Sequence, residues 1–403
     1  MTPPQAPPFE THYPRSLENL RAALTELYLA LGADPEEPQA VARRFGVHRN
    51  LAWKLTRVMR AQGAGGVLQY LPGNQGIERA IEAFRAAGAP ESKLVAVQRA
   101  QADFEAMVEL HAGDRATLEL MLDSLGLEGE DDALEASRRL AFRGNSGIWG
   151  IQARTRLRTD FVAPNAERSD LLDLVQVSAL IDLRRFRPDA TWPLFHRSQY
   201  NDDGSRREVR VEPIDAGPGS SADSMLWREF CSEESPEVRV VPTRLGTRYE
   251  LVGQTLGNRG LTTCVQGGVT RGFAPRFRDE LNRRGDFSAQ INAPTEHLLF
   301  DLIVHRDLAD EIRPEALVLQ AGTVDPGEYA GAARIPCSER LRRLESVPPR
   351  LSTPLYKRYA ELTARVYERM GWKAEEFRAM RFEMKCPPLN SVVLLHYELP
   401  EQP

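Results

Sequence analysis

Residues 37–62, EPQAVARRFGVHRNLAWKLTRVMRAQ, limit most what this chain can build. The first half favours helix. Ala40, Val41 and Ala42 lie in its middle, and acidic Glu36 and Glu37 stand where a helix N-terminus prefers negative charge. Gly46 ends that helix, because glycine tolerates the left-handed backbone of a tight turn. Val47 is placed to pack between the two arms. A second helix is predicted from Arg49, with Leu51, Leu55 and Val58 at i, i+4 and i+7 as one apolar stripe. Its other face carries Asn50, Trp53, Lys54 and Arg57, with Arg49 and Arg60 at the edges.

Ala42, Gly46-Val47, Ala52 and Leu55 together resemble the helix-turn-helix of bacterial DNA-binding regulators. In that family a small residue in the first helix and the turn glycine let the two helices cross closely. The second helix then enters the major groove with its N-terminal side chains on base edges. The resemblance implies that Arg49, Asn50, Trp53, Lys54 and Arg57 face the groove and that Arg60, near the far end, reaches phosphate. Two positions depart from the pattern: His48 replaces the usual Ser or Thr at the start of the second helix, and Trp53 is bulky where a small polar residue is common. The resemblance spans 26 of 403 residues. The stretch holds six basic residues (Arg43, Arg44, Arg49, Lys54, Arg57, Arg60) against Glu37, a net +5 on a chain whose net charge is −5. A basic patch on an acidic protein suits phosphate contacts. The bland alternative is a small helical module whose basic face is solvated and used for protein contacts.

The chain is long enough for two or three domains, and its sequence implies a multi-domain α+β protein. Residues 1–15 read as a Pro-rich disordered tail. Residues 16–72 form the helix-turn-helix domain, led by a helix capped by Ser16 with Leu17, Leu20, Leu24, Leu27 and Leu31 at helical spacing. Residues 67–71 are placed as a strand of a wing. Residues 73–165 read as a helical spacer or dimerisation region. Its first helix carries the stripe Ile77, Ile81 and Phe84. A longer one spans Leu94, Val97, Phe104, Met107, Val108 and His111. Two more follow over 117–125 and 132–142. GNSGIWG, residues 144–150, reads as a turn that buries Ile148 and Trp149, inside a second basic stretch made of Arg138, Arg139, Arg143, Arg154, Arg156 and Arg158.

Residues 166–403 change texture to a mixed α+β domain with antiparallel strands. LVQVSALIDL is rich in β-formers. NDDG suggests a hairpin between strands at 195–200 and 206–211. Further strands are expected at 238–241, 249–252, 261–265, 297–304, 317–320, 380–385 and 392–399, and helices at 337–344 and 354–370. On the strand at 297–304, Leu298, Phe300, Leu302 and Val304 share one face.

No phosphate loop, dinucleotide fingerprint, HExxH or CxxC pattern is present. His297, Asp301 and His305 share a strand face, but eight residues of strand span roughly 26 Å, too far for one metal ion. No catalytic residue, metal or cofactor is therefore expected. Arg184, Arg185 and Arg187 flank Phe186, and Arg271, Arg276 and Arg278 flank Phe273 and Phe277. Either group suits a small anionic ligand. The four cysteines form neither a zinc pattern nor a disulfide framework, and no apolar run has the length of a membrane span. A cytoplasmic, dimeric binder of double-stranded DNA with an effector-sensing C-terminal domain is the expectation. The alternatives are an enzyme in the C-terminal domain or an assembly protein using its helical part for contacts.

Overall fold

The computed structural model describes residues 7–61, 66–124, 130–190, 192–196, 210–215, 225–232, 237–243, 246–253, 255–321 and 334–402. The chain divides into two compact units, 1–134 and 135–403. The division falls inside the stretch expected to be a spacer, and no separate unit matches that stretch.

The first unit is helical. It contains α1 (Phe9–Ala30), α2 (Pro38–Phe45), α3 (Arg49–Arg60), α4 (Asn74–Ala86), α5 (Glu91–His111) and α6 (Arg115–Ser124). The leading helix starts at Phe9, seven residues before the expected cap, so residues 9–15 are helix and not tail. Phe9 and Tyr13 are buried, and Ser16 is buried within the helix instead of capping it. Apolar burial of these side chains outweighs the loss at Pro14, which only forgoes one hydrogen bond near the first turn. Tyr28, Phe45 and Phe84 meet edge to face, with ring centroids 5.6 and 5.5 Å apart, and join α1, α2 and α4 in one core. Residues 68–70 form a 3-10 turn, so the expected wing strand at 67–71 is absent. Its alternation is local only: Val67, Leu68 and Leu71 are all buried in the helical core.

α7 (Glu130–Trp149) leads to the second unit. It runs through GNSGIWG, so that segment is helix and not a turn, and Ile148 (68% exposed) and Trp149 (45%) are not buried. Fourteen residues of β1 (Ile151–Pro164) follow where a spacer was expected. β1 pairs with β2 (Leu171–Arg185) in a long hairpin whose turn is held by Asn165 Oδ1, which accepts from the amides of Glu167 and Arg168.

The remaining strands are β3 (Trp192–His196), β4 (Glu212–Pro213), β5 (Glu237–Thr243), β6 (Gly246–Val252), β7 (Thr262–Pro275), β8 (Arg284–Ile291), β9 (Thr295–His305), β10 (Glu315–Gln320), β11 (Arg342–Leu344), β12 (Phe377–Lys385) and β13 (Ser391–Glu398), with α8 (Tyr359–Met370) before β12. The large sheet has the order β11-β12-β9-β1-β2-β7-β4. Two three-stranded sheets, β10-β13-β8 and β3-β6-β5, accompany it. Among the described residues only β1 and β9 pair in parallel, so the sheet is mixed and the class is α+β.

The packing of β9 shows why its residues 298–304 are nearly all apolar. Leu299 and Ile303 pack towards α8 with Tyr359, Leu362 and Val366, while Leu298, Phe300, Leu302 and Val304 pack with Phe287, Val393 and Leu395 of the small sheet. A strand covered on both faces needs apolar residues on both. Residues 337–341 have no regular secondary structure and 342–344 form β11, so the expected helix there is absent. α8 begins at Tyr359, not 354. Most of the expected 195–211 hairpin lies outside the described residues. Among those residues no helix is long and apolar enough to cross a membrane.

Candidate nucleic-acid interface

Gly46 ends α2 with φ +69°, the left-handed conformation that glycine adopts freely. A side chain there would meet no atom within 4 Å, so the backbone angle and not space demands glycine. The chain then turns through Val47, which is buried, and His48 opens α3. Histidine at this position still caps: its Nδ1 accepts from the Asn50 amide at 3.3 Å, the task a Ser or Thr hydroxyl would perform.

The buried side of α3 is Ala52, Leu55, Thr56 and Val58, with Ala52, Leu55 and Val58 fully inaccessible. Leu51 is only half-buried, so the core stripe runs through Ala52 as well as Leu55 and Val58. Two arginines tie helix ends together. Arg21 on α1 donates from Nε to the Val58 carbonyl at 3.1 Å. Arg44 donates to the carbonyls of Leu31 and Gly32 at 3.0 and 2.9 Å. Both place a cation where a helix C-terminus is negative. Arg44 is thereby committed to the fold.

The opposite side of α3 carries the six residues singled out from the sequence. Arg49, Asn50, Trp53, Arg57 and Arg60 are exposed and Lys54 is half-buried. No carboxylate pairs with Arg49, Lys54 or Arg57 among the described residues. Arg60 is less available: its guanidinium lies 3.5 Å from Glu36, which reduces its call on phosphate. Trp53, 40% exposed, meets Tyr70 edge to face at 5.3 Å. The Arg57 guanidinium lies over both rings, 5.4 Å from Trp53 and 5.7 Å from Tyr70. Cation–π contacts hold the arginine extended without neutralising it. Tyr70 was not legible as part of this surface, because it lies 17 residues from Trp53 on a separate 3-10 turn. Only the tertiary fold brings it alongside.

Five of the six arginines singled out in the second unit take their partners from the fold itself. Arg185 is buried and donates to the carbonyls of Ala190 and Leu251, and Arg187 donates to Ile148. Arg271 pairs with Asp173, Arg276 with Glu311, and Arg278 with Glu398 and Glu401. Phe273 stacks on Phe287, so it belongs to the core.

Asp301 likewise serves the fold. Arg381 grips it through Nε at 2.8 Å and Nη2 at 2.7 Å, and the Tyr359 hydroxyl donates at 2.7 Å. Burial pushes the Asp301 carboxyl up, against the downward pull of Arg381 and Tyr359. His305 instead accepts from the Asp307 amide and His297 lies beside Glu296, so the three residues do not act together.

No family model and no curated protein matches the chain. A solved structure described as a "putative protease" from Parabacteroides distasonis ATCC 8503 aligns with 62% of this chain and 40% of its own, at 7% identity and a TM-score of 0.29. This chain therefore spans about two fifths of that protein, and a TM-score at this level establishes no common fold.

Proposed function

We propose that this chain is a DNA-binding regulator whose α3 is the recognition helix of a helix-turn-helix. One observation carries the reading: α3 is anchored on one side by Ala52, Leu55 and Val58 and presents Arg49, Asn50, Lys54 and Arg57 on the other, with no acidic partner for these three cations among the described residues. Asn50 suits bidentate pairing with adenine, Lys54 suits guanine, and Arg49 and Arg57 suit phosphate or base edges. One short helix makes few base contacts, so a two-fold homodimer reading half-sites about 34 Å apart is part of the proposal. The second unit is then the effector-sensing domain, and the cytoplasm is the compartment. An aromatic pair as open as Trp53 and Tyr70 also suits a protein partner, and this is the competing reading.

A competition assay on duplex DNA at two salt concentrations separates the two. Arg57→Ala is expected to weaken every duplex alike and to lower the salt slope by about one unit. Asn50→Ala is expected to cost about 1–3 kcal/mol of discrimination between selected and random sequence. Glu36→Gln, which releases Arg60, is expected to steepen the salt slope. If the folded wild-type chain binds no duplex at low salt, the DNA reading fails and the protein-contact reading stands.

A further inference from the structure

The sheet face opposite α8 is not apolar throughout. Between the clusters around Phe300 and around Leu180 it carries Arg156, Arg158 and Asp160 on β1, Ser178 on β2, and Gln266 and Thr270 on β7, all less than a tenth exposed. The strand registers set them in rows: Arg158 pairs with Ser178, and Ser178 with Gln266. Neighbouring strands lie about 4.8 Å apart, so Arg158 and Gln266 start about 10 Å apart on one face with only the short Ser178 between them.

Most of the hydrogen-bonding capacity in this block is used. Arg156 donates to Ser178 Oγ at 2.8 Å and to the Gln290 carbonyl at 3.3 Å. Arg158 turns Nε and Nη2 towards Asp160, at 2.8 and 3.1 Å. The buried Gln266 Nε2 has no hydrogen-bond partner, and Arg158 Nε and Asp160 Oδ1 have none either, because their 2.8 Å approach does not meet hydrogen-bond geometry. An unsatisfied buried amide costs about 1–3 kcal/mol, so its retention asks for a reason. A guanidinium that leaves donor capacity unused beside Asp160, in one row with an unpaired amide two strands away, matches the two oxygens of a second carboxylate. Arg156, Arg158 and Asp160 sum to one positive charge, so a singly charged ligand leaves the block neutral and a phosphate dianion overshoots it.

We propose that Arg158 and Gln266 bind the carboxylate of a small organic monoacid on this face of the large sheet. The site concerns the second unit alone and does not depend on DNA binding by α3.

The test is thermal unfolding of the full chain, without DNA, in acetate, propionate, benzoate, inorganic phosphate and chloride at matched ionic strength. At least one monocarboxylate is expected to raise the melting temperature saturably above chloride, with phosphate giving no more than chloride. Gln266→Met is the discriminating variant. It removes a buried unpaired donor, so the unliganded protein should melt no lower than wild type, while carboxylate affinity falls tenfold or more. Arg158→Met should abolish the shift but leaves Asp160 unpaired, so its own unfolding must be read first. Equal shifts with all the anions, no saturable shift with any of the three acids, or a full carboxylate shift in Gln266→Met overturns the proposal.

Discussion

Replacing Arg381 by methionine removes one half of a buried ion pair and leaves the other half behind. Asp301 is inaccessible to solvent and would keep only the Tyr359 hydroxyl, having lost two charged donors at 2.7 and 2.8 Å. Ser352 would also lose the donor to its carbonyl at 3.0 Å. Breaking a buried pair on one side costs about 3–5 kcal/mol. The cost has a ceiling set by proton uptake. Protonating an aspartate with an unfolded pKa of about 3.9 requires about 4 kcal/mol at pH 7 and about 1.5 kcal/mol at pH 5, so Asp301 escapes by neutralising when its repulsive burial exceeds those values. Arg381→Met is therefore expected to destabilise the second unit by about 3–4 kcal/mol at pH 7 and by visibly less at pH 5.

Urea unfolding at both pH values measures this, in a Trp53→Phe background so that fluorescence reports the four tryptophans of the second unit. Adding Asp301→Leu to Arg381→Met should recover much of the loss, because an apolar pair of similar volume removes the stranded charge. A single-variant cost under about 1 kcal/mol, or a cost that does not shrink towards pH 5, would refute the picture of a dry pair pinning α8 to the sheet through Tyr359.

Leu55→Ala should lower the stability of the first unit by about 2–5 kcal/mol, since its side chain is fully buried between α3 and the rest of that core. An unchanged denaturation midpoint would mean α3 is not packed by this face. His12 Nδ1 and His111 Nε2 lie 3.0 Å apart, and burial first, then His111 and Arg15, lower the His12 pKa from 6.5. A lowered folded pKa means that the unfolded chain takes up protons first. The contribution of His12 is thus present above pH 6.5 and lost as the pH falls below it. His111→Asn is expected to flatten that acid slope in a pH series of melting temperatures, and a slope identical to wild type would assign it elsewhere.

Some of this protein was decided locally and is legible along the chain. A glycine that adopts positive φ after Phe45 and apolar residues at helical spacing place the end of α2 and the start of α3, because each signal acts within one or two turns, whereas the cap supplied by His48 was not legible. β9 is legible for the same reason: its alternation and its apolar run both follow from which faces are covered. Other features depended on partners far along the sequence. Whether Pro14 ends a helix was decided by Phe9 and Tyr13 finding a core, and whether residues 337–344 coil was decided by the open edge of β12, which gave Arg342–Leu344 a strand to pair with. The arginine-rich stretches looked alike as sequence. Their roles diverged because a guanidinium takes whichever carbonyl or carboxylate the fold brings within about 3 Å. Arg44 went to a helix end, Arg381 to Asp301 and Arg158 to Asp160, while Arg49 and Arg57 were left facing outward. Tertiary structure alone chose among them, since charge and spacing are the same before folding and only the neighbours differ after it.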